Sequence, residues 1–158
     1  MDRSQPVFRK IKERELNKLK PLFPEDIRLW PGYRNARKKQ LREKERDIFV
    51  IDSGREFIGE VTVLYKSHRL PQETVPGQRA YLAAFRVKKD LQGQGLGQML
   101  LEYTMASLRA EGYTQFTIGV EEDNERAKHI YFKHGFTKPV GTARGNNSGE
   151  YTLYLKED

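Results

Sequence analysis

The sequence predicts an α/β (α+β) domain in which helices flank one sheet. Short apolar runs bounded by turn residues are typical of strands, longer amphipathic runs are typical of helices, and the two kinds are interspersed along the chain. A chain of 158 residues can bury a substantial hydrophobic core, so we expect a single domain over residues 1–158.

The N-terminal half is predicted to contain one strand, two helices and a hairpin. The run "PVFRKIK" is typical of a short strand, and "ERELNKLKPLF" of a helix with Leu16, Leu19 and Phe23 on its inner face. A second helix is expected from Tyr33 to Lys44. The runs "DIFVID" and "FIGEVTVLYK" flank the glycine-containing turn "SGRE", which predicts a β-hairpin.

The C-terminal half is predicted to alternate strands and helices. A strand over residues 80–87 leads through a glycine-rich loop into a helix that ends near Glu111, with Gly112 as its cap. "TQFTIGV" predicts a strand, and "NERAKHIYFKHG" a short helix capped by Asn124 and ended by Gly135. "FTKPV" and "EYTLYLK" are predicted strands. The second is either an interior strand or an edge strand that pairs with a second subunit in a homodimer.

The composition excludes several kinds of site. The chain has no cysteine, which excludes disulfides, thiolate metal ligands and an acyl-cysteine mechanism. His68, His129 and His134 lack the spacing of a zinc site, so no metal is expected. The N-terminus lacks the apolar segment of a secretory signal, and no run is long enough to span a membrane. These features favour a cytoplasmic protein with no membrane partner.

The formal net charge of +7 comes entirely from residues 1–50, where 15 Lys and Arg outnumber 8 Asp and Glu. The stretch "RNARKKQLREKER" is either a solvated helix surface stabilised by charge pairs or an electropositive surface that attracts an anionic partner. Such a partner would be an acidic substrate or nucleic acid. Trp30 and Tyr33 provide little aromatic interleaving, so nucleic acid is not the favoured partner.

Three glycines alternate in "QGQGLG", between a predicted strand and a predicted helix. A Rossmann fingerprint starting at Gly93 needs glycine at position 98, and a P-loop needs glycine at 98 and lysine at 99. The chain has Gln98 and Met99, so neither a dinucleotide nor a nucleoside triphosphate is expected. The loop is either a tight corner or a backbone cradle for another phosphate, because glycine permits close approach and a helix N-terminus attracts anions.

Two motifs in the second half of the chain resemble those of the GNAT superfamily of acyl-CoA N-acyltransferases. The resemblance covers roughly residues 49–158, and earlier residues match only in outline. The first pattern, (R/Q)-x-x-G-x-(G/A), is matched by Gln92, Gly95 and Gly97. The second, N-x-x-A-x-x-x-Y-x-x-x-G-F, is matched by Asn124, Ala127, Tyr131, Gly135 and Phe136.

The resemblance implies a mixed, mostly antiparallel central sheet, with acetyl-CoA as the cosubstrate where two central strands splay apart. The pantetheine arm is expected along the backbone of residues 85–87, and the pyrophosphate on the N–H groups of residues 92–97. The cofactor-binding residues that it implies are Phe85, Arg86, Val87, Gln92, Gly93, Gln94, Gly95, Leu96, Gly97, Asn124 and Lys133.

The resemblance further implies an N-acetyltransferase in which a primary amine attacks acetyl-CoA directly. An amine with a pKa of about 10.4 must lose a proton, and the departing thiolate must gain one. Tyr131 is expected as the general acid for the thiolate. The base is expected to be a carboxylate, acting directly or through water, with Glu60 preferred to Glu122 and Glu122 to Glu121.

The acceptor is left open as a small-molecule or peptide amine. The basic N-terminal third favours an acidic acceptor, whereas the cluster Glu121–Asp123 favours a cationic amine. A molecule with both groups, such as an amino acid or peptide, satisfies both. Two alternatives from other classes remain: a module that binds acyl-CoA without turnover, and a nucleic-acid-binding module that uses the basic residues from Arg34 to Arg46.

Overall fold

The computed structural model describes residues 5–144 and 149–158, and within these ranges seven strands form one sheet. The strands are β1 (Val7–Lys10), β2 (Arg46–Asp52), β3 (Phe57–Leu64), β4 (Arg79–Val87), β5 (Gln115–Glu121), β6 (Lys138–Arg144) and β7 (Glu150–Glu157). Their order across the sheet is β1-β2-β3-β4-β5-β7-β6. The β4–β5 pair is parallel, and the β1–β2, β5–β7 and β6–β7 pairs are antiparallel. The predicted mixed, mostly antiparallel sheet is therefore confirmed.

Three α-helices and one long 3-10 helix accompany the strands in the described ranges. They are the 3-10 helix Glu13–Leu22, α1 (Trp30–Arg42), α2 (Leu96–Ala110) and α3 (Glu125–Lys133). Shorter 3-10 turns cover Ile27–Leu29, Pro71–Glu73 and Lys89–Leu91. Parallel neighbours need a long crossover connection, and α2 supplies it between β4 and β5. No helix among these residues combines the length and apolar character that crossing a membrane requires.

The chain is grouped into two compact units. The first runs to Val63 and resumes over Ala84–Ser107, and the second comprises Leu64–Ala83 and Leu108–Asp158. The first unit has a core built from the 3-10 helix, the start of α1 and strands β2 and β3. Its buried side chains are Ile11, Leu16, Leu19, Leu22, Trp30, Ile48, Val50 and Phe57. That the whole chain acts as a single domain stays a prediction.

The buried leucines of the first helix are spaced three residues apart, which matches the three-residue turn of a 3-10 helix. Leu16, Leu19 and Leu22 are all buried, and a period of three residues per turn places them on one side of a 3-10 helix. The sequence led us to expect an ordinary helix with Phe23 inward, but Phe23 follows the helix and is half-buried. Its ring packs edge-on against the Trp30 ring, with centroids 5.4 Å apart.

Helix α1 begins at Trp30 instead of the predicted Tyr33. Pro31 lies in its first turn, where the missing N–H removes no helical hydrogen bond. The helix ends at Arg42, before the predicted Lys44, whose backbone is left-handed with φ at 58° and cannot continue a right-handed helix.

The last strand of the chain is an interior strand. Along β7, Leu155 is the register partner of Thr117 in β5 and of Lys138 in β6. The alternative in which "EYTLYLK" is an exposed edge is therefore wrong, and that route to a homodimer is removed. The neighbouring strand β6 starts at Lys138 instead of Phe136, and the fully buried Phe136 ring lies edge-on to the ring of Tyr131.

Arg9 ties three elements of the first unit together. From β1, its guanidinium donates to both carboxylate oxygens of Glu15, at 2.6 and 2.9 Å, and to Asp52 at the end of β2, at 3.0 Å. Hydrogen bonding from Arg9 lowers the pKa of the Glu15 carboxyl from 4.5 to about 2. This ion-pair network therefore stabilises the attachment of the 3-10 helix to the β1–β2 ladder.

We expect Glu15→Gln to lower the free energy of unfolding at pH 7 by roughly 1–3 kcal/mol. The folded-state pKa of Glu15 is depressed, so its contribution is complete above pH 4.5 and is lost as the pH falls toward about 2. Urea unfolding of both proteins between pH 7 and pH 2 measures this, and the difference should shrink on acidification. Glu25→Gln, at an exposed position, is the control; a pH-independent Glu15 effect would contradict the prediction.

Candidate active site

The glycine-rich loop adopts a backbone that requires glycine at two positions. Gly93 and Gly95 both have φ at 82°, in the left-handed region that side chains disfavour. A Cβ at either position would meet no described atom within 4 Å, so the loop surface is open above both residues. The requirement for glycine thus comes from backbone conformation and leaves room for a ligand at the backbone.

Helix α2 starts directly after this loop. Its first helical hydrogen bond runs from the Met99 N–H to the Gly95 carbonyl, at 3.0 Å. The N–H groups of Leu96 and Gly97, in the first turn, have no acceptor within the helix itself. An exposed loop that leads into these donors has the geometry and the positive dipole end that bind phosphate.

The loop is attached to the end of β4. The Gln92 side-chain amide donates to the Val87 carbonyl at 3.0 Å. A Cβ on Gly97 would lie 3.5 Å from Val87 Cγ2 and 3.9 Å from Phe85 Cε1, so the first turn of α2 packs on these two side chains. The end of β4, residues 85–87, and the loop, residues 92–97, are therefore in direct contact. Lys88, between them, forms an ion pair with Glu56 at 3.0 Å.

Strand β4 changes its backbone conformation at Ala84. Its pairing with β5 covers Arg79–Leu82, and Ala84 then has φ at 52°. A left-handed non-glycine residue costs about 1–2 kcal/mol, so the surrounding structure must hold it there. The following residues, Phe85–Val87, are half-buried. Their exposure leaves this part of the strand accessible.

Glu60 is the buried carboxylate of the first unit beside this strand. It lies on β3, where every residue is buried, and it is 3% exposed. Arg86 Nη1 lies 3.4 Å from Glu60 Oε2. The preceding Gly59 lets the Ile51 side chain and the Arg86 backbone lie close to β3, because a Cβ there would lie 2.7 Å from Ile51 Cδ1 and 3.3 Å from the Arg86 carbonyl oxygen.

Burial raises the pKa of the Glu60 carboxyl, and the charges of Arg86, Arg37 and Arg46 oppose that rise. A carboxyl with a raised pKa accepts a proton more readily than an exposed one does. The arrangement is therefore suited to general base chemistry at neutral pH.

Two arginines near Glu60 were not singled out from the sequence. Arg46, at the start of β2, is buried and donates to Gln40 at 2.7 Å and to Thr62 at 3.0 Å. Arg37, on α1, lies over the Tyr33 ring with 3.1 Å between its Cζ and the ring centroid. Burial and, to a lesser extent, the charge of Arg46 together lower the pKa of Arg37 to about 9. The available signal was the four-residue spacing of Tyr33 and Arg37 on one helix face.

The second motif forms α3 and its ends in the second unit. The Asn124 side chain accepts a hydrogen bond from the Ala127 N–H at 3.0 Å, which confirms it as the helix N-cap. Gly135 ends the helix with φ at 95°. Tyr131 is half-buried, with its ring edge-on to Phe136 at 6.2 Å between centroids. Burial raises the pKa of the Tyr131 phenol above its ordinary value of 10.0.

The other predicted residues of the second unit are exposed. Glu122 follows β5, with a 52% exposed side chain that accepts a hydrogen bond from Thr152 and lies 3.9 Å from Lys128 Nζ. Glu121 and Lys133 are exposed as well. Of the predicted base candidates, Glu60 is therefore the buried one, and it adjoins the strand predicted to hold the pantetheine.

The basic stretch of α1 carries charge pairs on its outer surface. Glu13 Oε1 lies 2.8 Å from Arg42 Nη2 and 3.9 Å from Lys38 Nζ. These contacts support the interpretation of this stretch as a solvated helix surface stabilised by ion pairs. Across residues 5–144 and 149–158, no group of three or more His, Asp or Glu side chains has the arrangement of a metal site.

The comparison with family models assigns the class of this protein. The model of the acetyltransferase (GNAT) family matches residues 13–136, which span both sequence motifs and the glycine-rich loop. The chain therefore belongs to the GNAT family of acetyltransferases. The resemblance inferred from the two motifs is confirmed.

Solved acetyltransferase structures are similar to this chain in fold over nearly its full length, and curated acetyltransferase sequences are similar to it over a short segment. An N-acetyltransferase from Staphylococcus aureus Mu50 superposes with a TM-score of 0.72 at 19% identity, covering 98% of this chain and 99% of that one. The PaiA N-acetyltransferase from Thermoplasma acidophilum, solved in complex with coenzyme A, has a TM-score of 0.68 at 14% identity, covering 98% and 100%. A mycothiol acetyltransferase from Geodermatophilus obscurus is 42% identical over 52 residues, which are 33% of this chain and 17% of that protein.

We expect Arg86→Gln to raise the pKa of Glu60 further, because Arg86 supplies the strongest opposing charge. A carboxyl carbon NMR titration of glutamate-labelled protein measures the change. Lys88→Gln is the matched control, since the partner of Lys88 is Glu56, and it should leave the Glu60 titration unchanged. An unchanged or lowered Glu60 pKa in Arg86→Gln would show that this pair does not govern the carboxyl.

Proposed function

We propose that this protein is an acetyl-CoA-dependent N-acetyltransferase that transfers the acetyl group to a primary amine by direct attack. One observation carries the proposal: two left-handed glycines, open to solvent, lead into the N-terminus of α2 beside the exposed end of β4. The same loop carries the first motif of the GNAT resemblance, through Gln92, Gly95 and Gly97.

The chain's own groups fit an acyl-CoA. Backbone N–H groups from Gln92 to Gly97 are the proposed donors to the pyrophosphate, and the space above Gly93 and Gly95 is open. Backbone groups of Phe85–Val87 are the proposed partners of the pantetheine amides, in the manner of an added strand. Asn124 and Lys133 are also proposed cofactor contacts, because both lie within the segment of the second motif. The Asn124 side-chain oxygen accepts the hydrogen bond that caps α3.

When bound, acetyl-CoA supplies an activated thioester, and the chain supplies the proton transfers. Tyr131 is the proposed general acid, because it holds the tyrosine position of the second motif and its raised pKa keeps the phenol protonated at neutral pH. Glu60 is the proposed base, directly or through water, because its burial raises its pKa. Glu122 is the second choice, since it is exposed and bonded to Thr152.

The acceptor in this proposal is a small-molecule or peptide amine. The activity of the mycothiol acetyltransferase is not transferred to this chain, because the matched segment spans only 17% of that protein. Non-catalytic acyl-CoA binding and nucleic-acid binding remain the alternatives. The second has the weaker support, since Lys38 and Arg42 of the basic helix lie close to Glu13.

Acetyl-CoA should raise the melting temperature of the protein, and Gly95→Glu should abolish the rise. A ligand bound only to the native state adds roughly 2.7 kcal/mol at a hundredfold excess over its dissociation constant. The glutamate would strain a left-handed position and place a negative charge where phosphate is expected. Thermal melts with and without acetyl-CoA measure the effect.

The matched control is Gly54→Glu in the β2–β3 turn. Gly54 has φ at 94° and an open Cβ position, so this variant carries similar backbone strain at a distance from the loop. It should melt lower than the parent and still respond to acetyl-CoA. If neither the parent nor this control responds, the loop is a tight corner and the proposed function is wrong.

Tyr131→Phe should lower kcat by about 10²- to 10⁴-fold, with little change in the KM for acetyl-CoA, because it removes a proton donor and keeps the ring. Thiol release from acetyl-CoA with an amine acceptor measures both constants. In the parent, Tyr131 should stay protonated beyond pH 10, so its ionisation should cause no loss of kcat below that pH. Tyr154→Phe on β7 is the control, and equal loss in both variants would exclude the acid role.

A further inference from the structure

The first unit contains a cluster of buried and half-buried charges that is not balanced within itself. We call it the arginine cluster: Arg37, Arg46 and Arg86, with Glu60 and the Tyr33 hydroxyl. Glu60 is the carboxylate whose charge acts on all three arginines. Three cations therefore surround one anion, although buried charges are normally paired.

The members of the cluster differ in whether their hydrogen-bond donors have partners. Arg46 is bonded to Gln40 and Thr62, and Arg86 is bonded to Glu60. By contrast, Arg37 Nε and the Tyr33 hydroxyl are buried without a hydrogen-bond partner among the described residues. Both groups can donate a hydrogen bond, so the missing complement is an acceptor.

The unsatisfied donors lie beside the proposed chemistry. The charges of Glu60 and Arg86 act on the Arg37 guanidinium, and Arg86 lies within the strand segment proposed to hold the pantetheine. The Arg86 side chain is 27% exposed, so the cluster is open to solvent on this side. An anion held by Arg37 would therefore lie close to the proposed base.

We propose that the arginine cluster binds a carboxylate of the acceptor, with Arg37 and Tyr33 as its donors, so that the acceptor is a small amine that also carries a carboxylate, as an amino acid does. This rests on the proposed N-acetyltransferase function and names the substrate class. Arginine suits the role because its planar fork donates to both oxygens of a carboxylate. The excess positive charge of the cluster is then compensated by the substrate.

The test compares amino acids with their carboxamides as acceptors, with kcat/KM expressed per unprotonated amine because the carboxamide also lowers the pKa of the α-amine. With acetyl-CoA saturating, kcat/KM of the parent should favour the acid of each pair by about tenfold or more. Arg37→Met should reduce kcat/KM for the acid by about ten- to a hundredfold and change that for the amide little. Arg55→Met, at an exposed position in the β2–β3 turn, should behave like the parent.

A binding measurement checks the same site without turnover. N-acetylglycine should raise the melting temperature of the parent in the presence of coenzyme A more than N-acetylglycinamide does, and Arg37→Met should remove the difference. Without ligand, Arg37→Met should melt at or above the parent temperature, because a half-buried charge has been removed. If that variant fails to fold, Tyr33→Phe is used instead. It should lower kcat/KM for the amino acids by less than Arg37→Met would, and leave kcat/KM for their carboxamides unchanged.

The outcomes separate this inference from the proposed function. If acetyl-CoA does not stabilise the parent, the proposed function fails and the inference fails with it. If acetyl-CoA stabilises the parent but acids and amides react equally, the inference alone is overturned. Weaker acetyl-CoA binding by Arg37→Met would also overturn it, because the cluster would then serve the cosubstrate.

Discussion

Strand β4 pairs with β5 only before Ala84, and the candidate site depends on the half-buried segment that follows this residue. Before this residue the strand is paired with β5; after it, Phe85–Val87 are half-buried. A left-handed alanine is unfavourable by itself, so the contacts of the following residues must hold it. The Val87 carbonyl accepts from Gln92 and the Arg86 carbonyl lies close to Gly59, so strand, loop and β3 constrain one another.

Burial and the neighbouring arginine charges act in opposite directions on the pKa of Glu60. Burial makes the carboxyl easier to protonate, while three arginines favour its charged form. A purely structural ion pair would need one arginine, and the other two leave two positive charges without an anion and, among the described residues, two donors without an acceptor. Unsatisfied buried groups lower stability, and they are retained where a ligand completes them. The unsatisfied donors of the cluster and the proposed binding of an anionic acceptor thus follow from one arrangement.

Local signals predicted most of the elements, because turns, caps and strand patterns depend on neighbouring residues. The Asn124 cap, the left-handed Gly135 and the glycine-rich loop all followed from short stretches of sequence. The errors arose where two local signals competed. The first helix is a 3-10 helix whose buried leucines repeat every three residues, a spacing that is also compatible with the predicted ordinary helix.

The sequence by itself determined the family and the position of the glycine-rich loop, because each is encoded in a contiguous motif. Only the tertiary structure decided which carboxylate is buried among cations. Glu60 contacts Arg86, and the charges of Arg37 and Arg46 act on it from another helix and strand, an arrangement that no local pattern records. Likewise, pairing on both sides decided that β7 is interior, since hydrogen-bond partners across a sheet are distant in sequence.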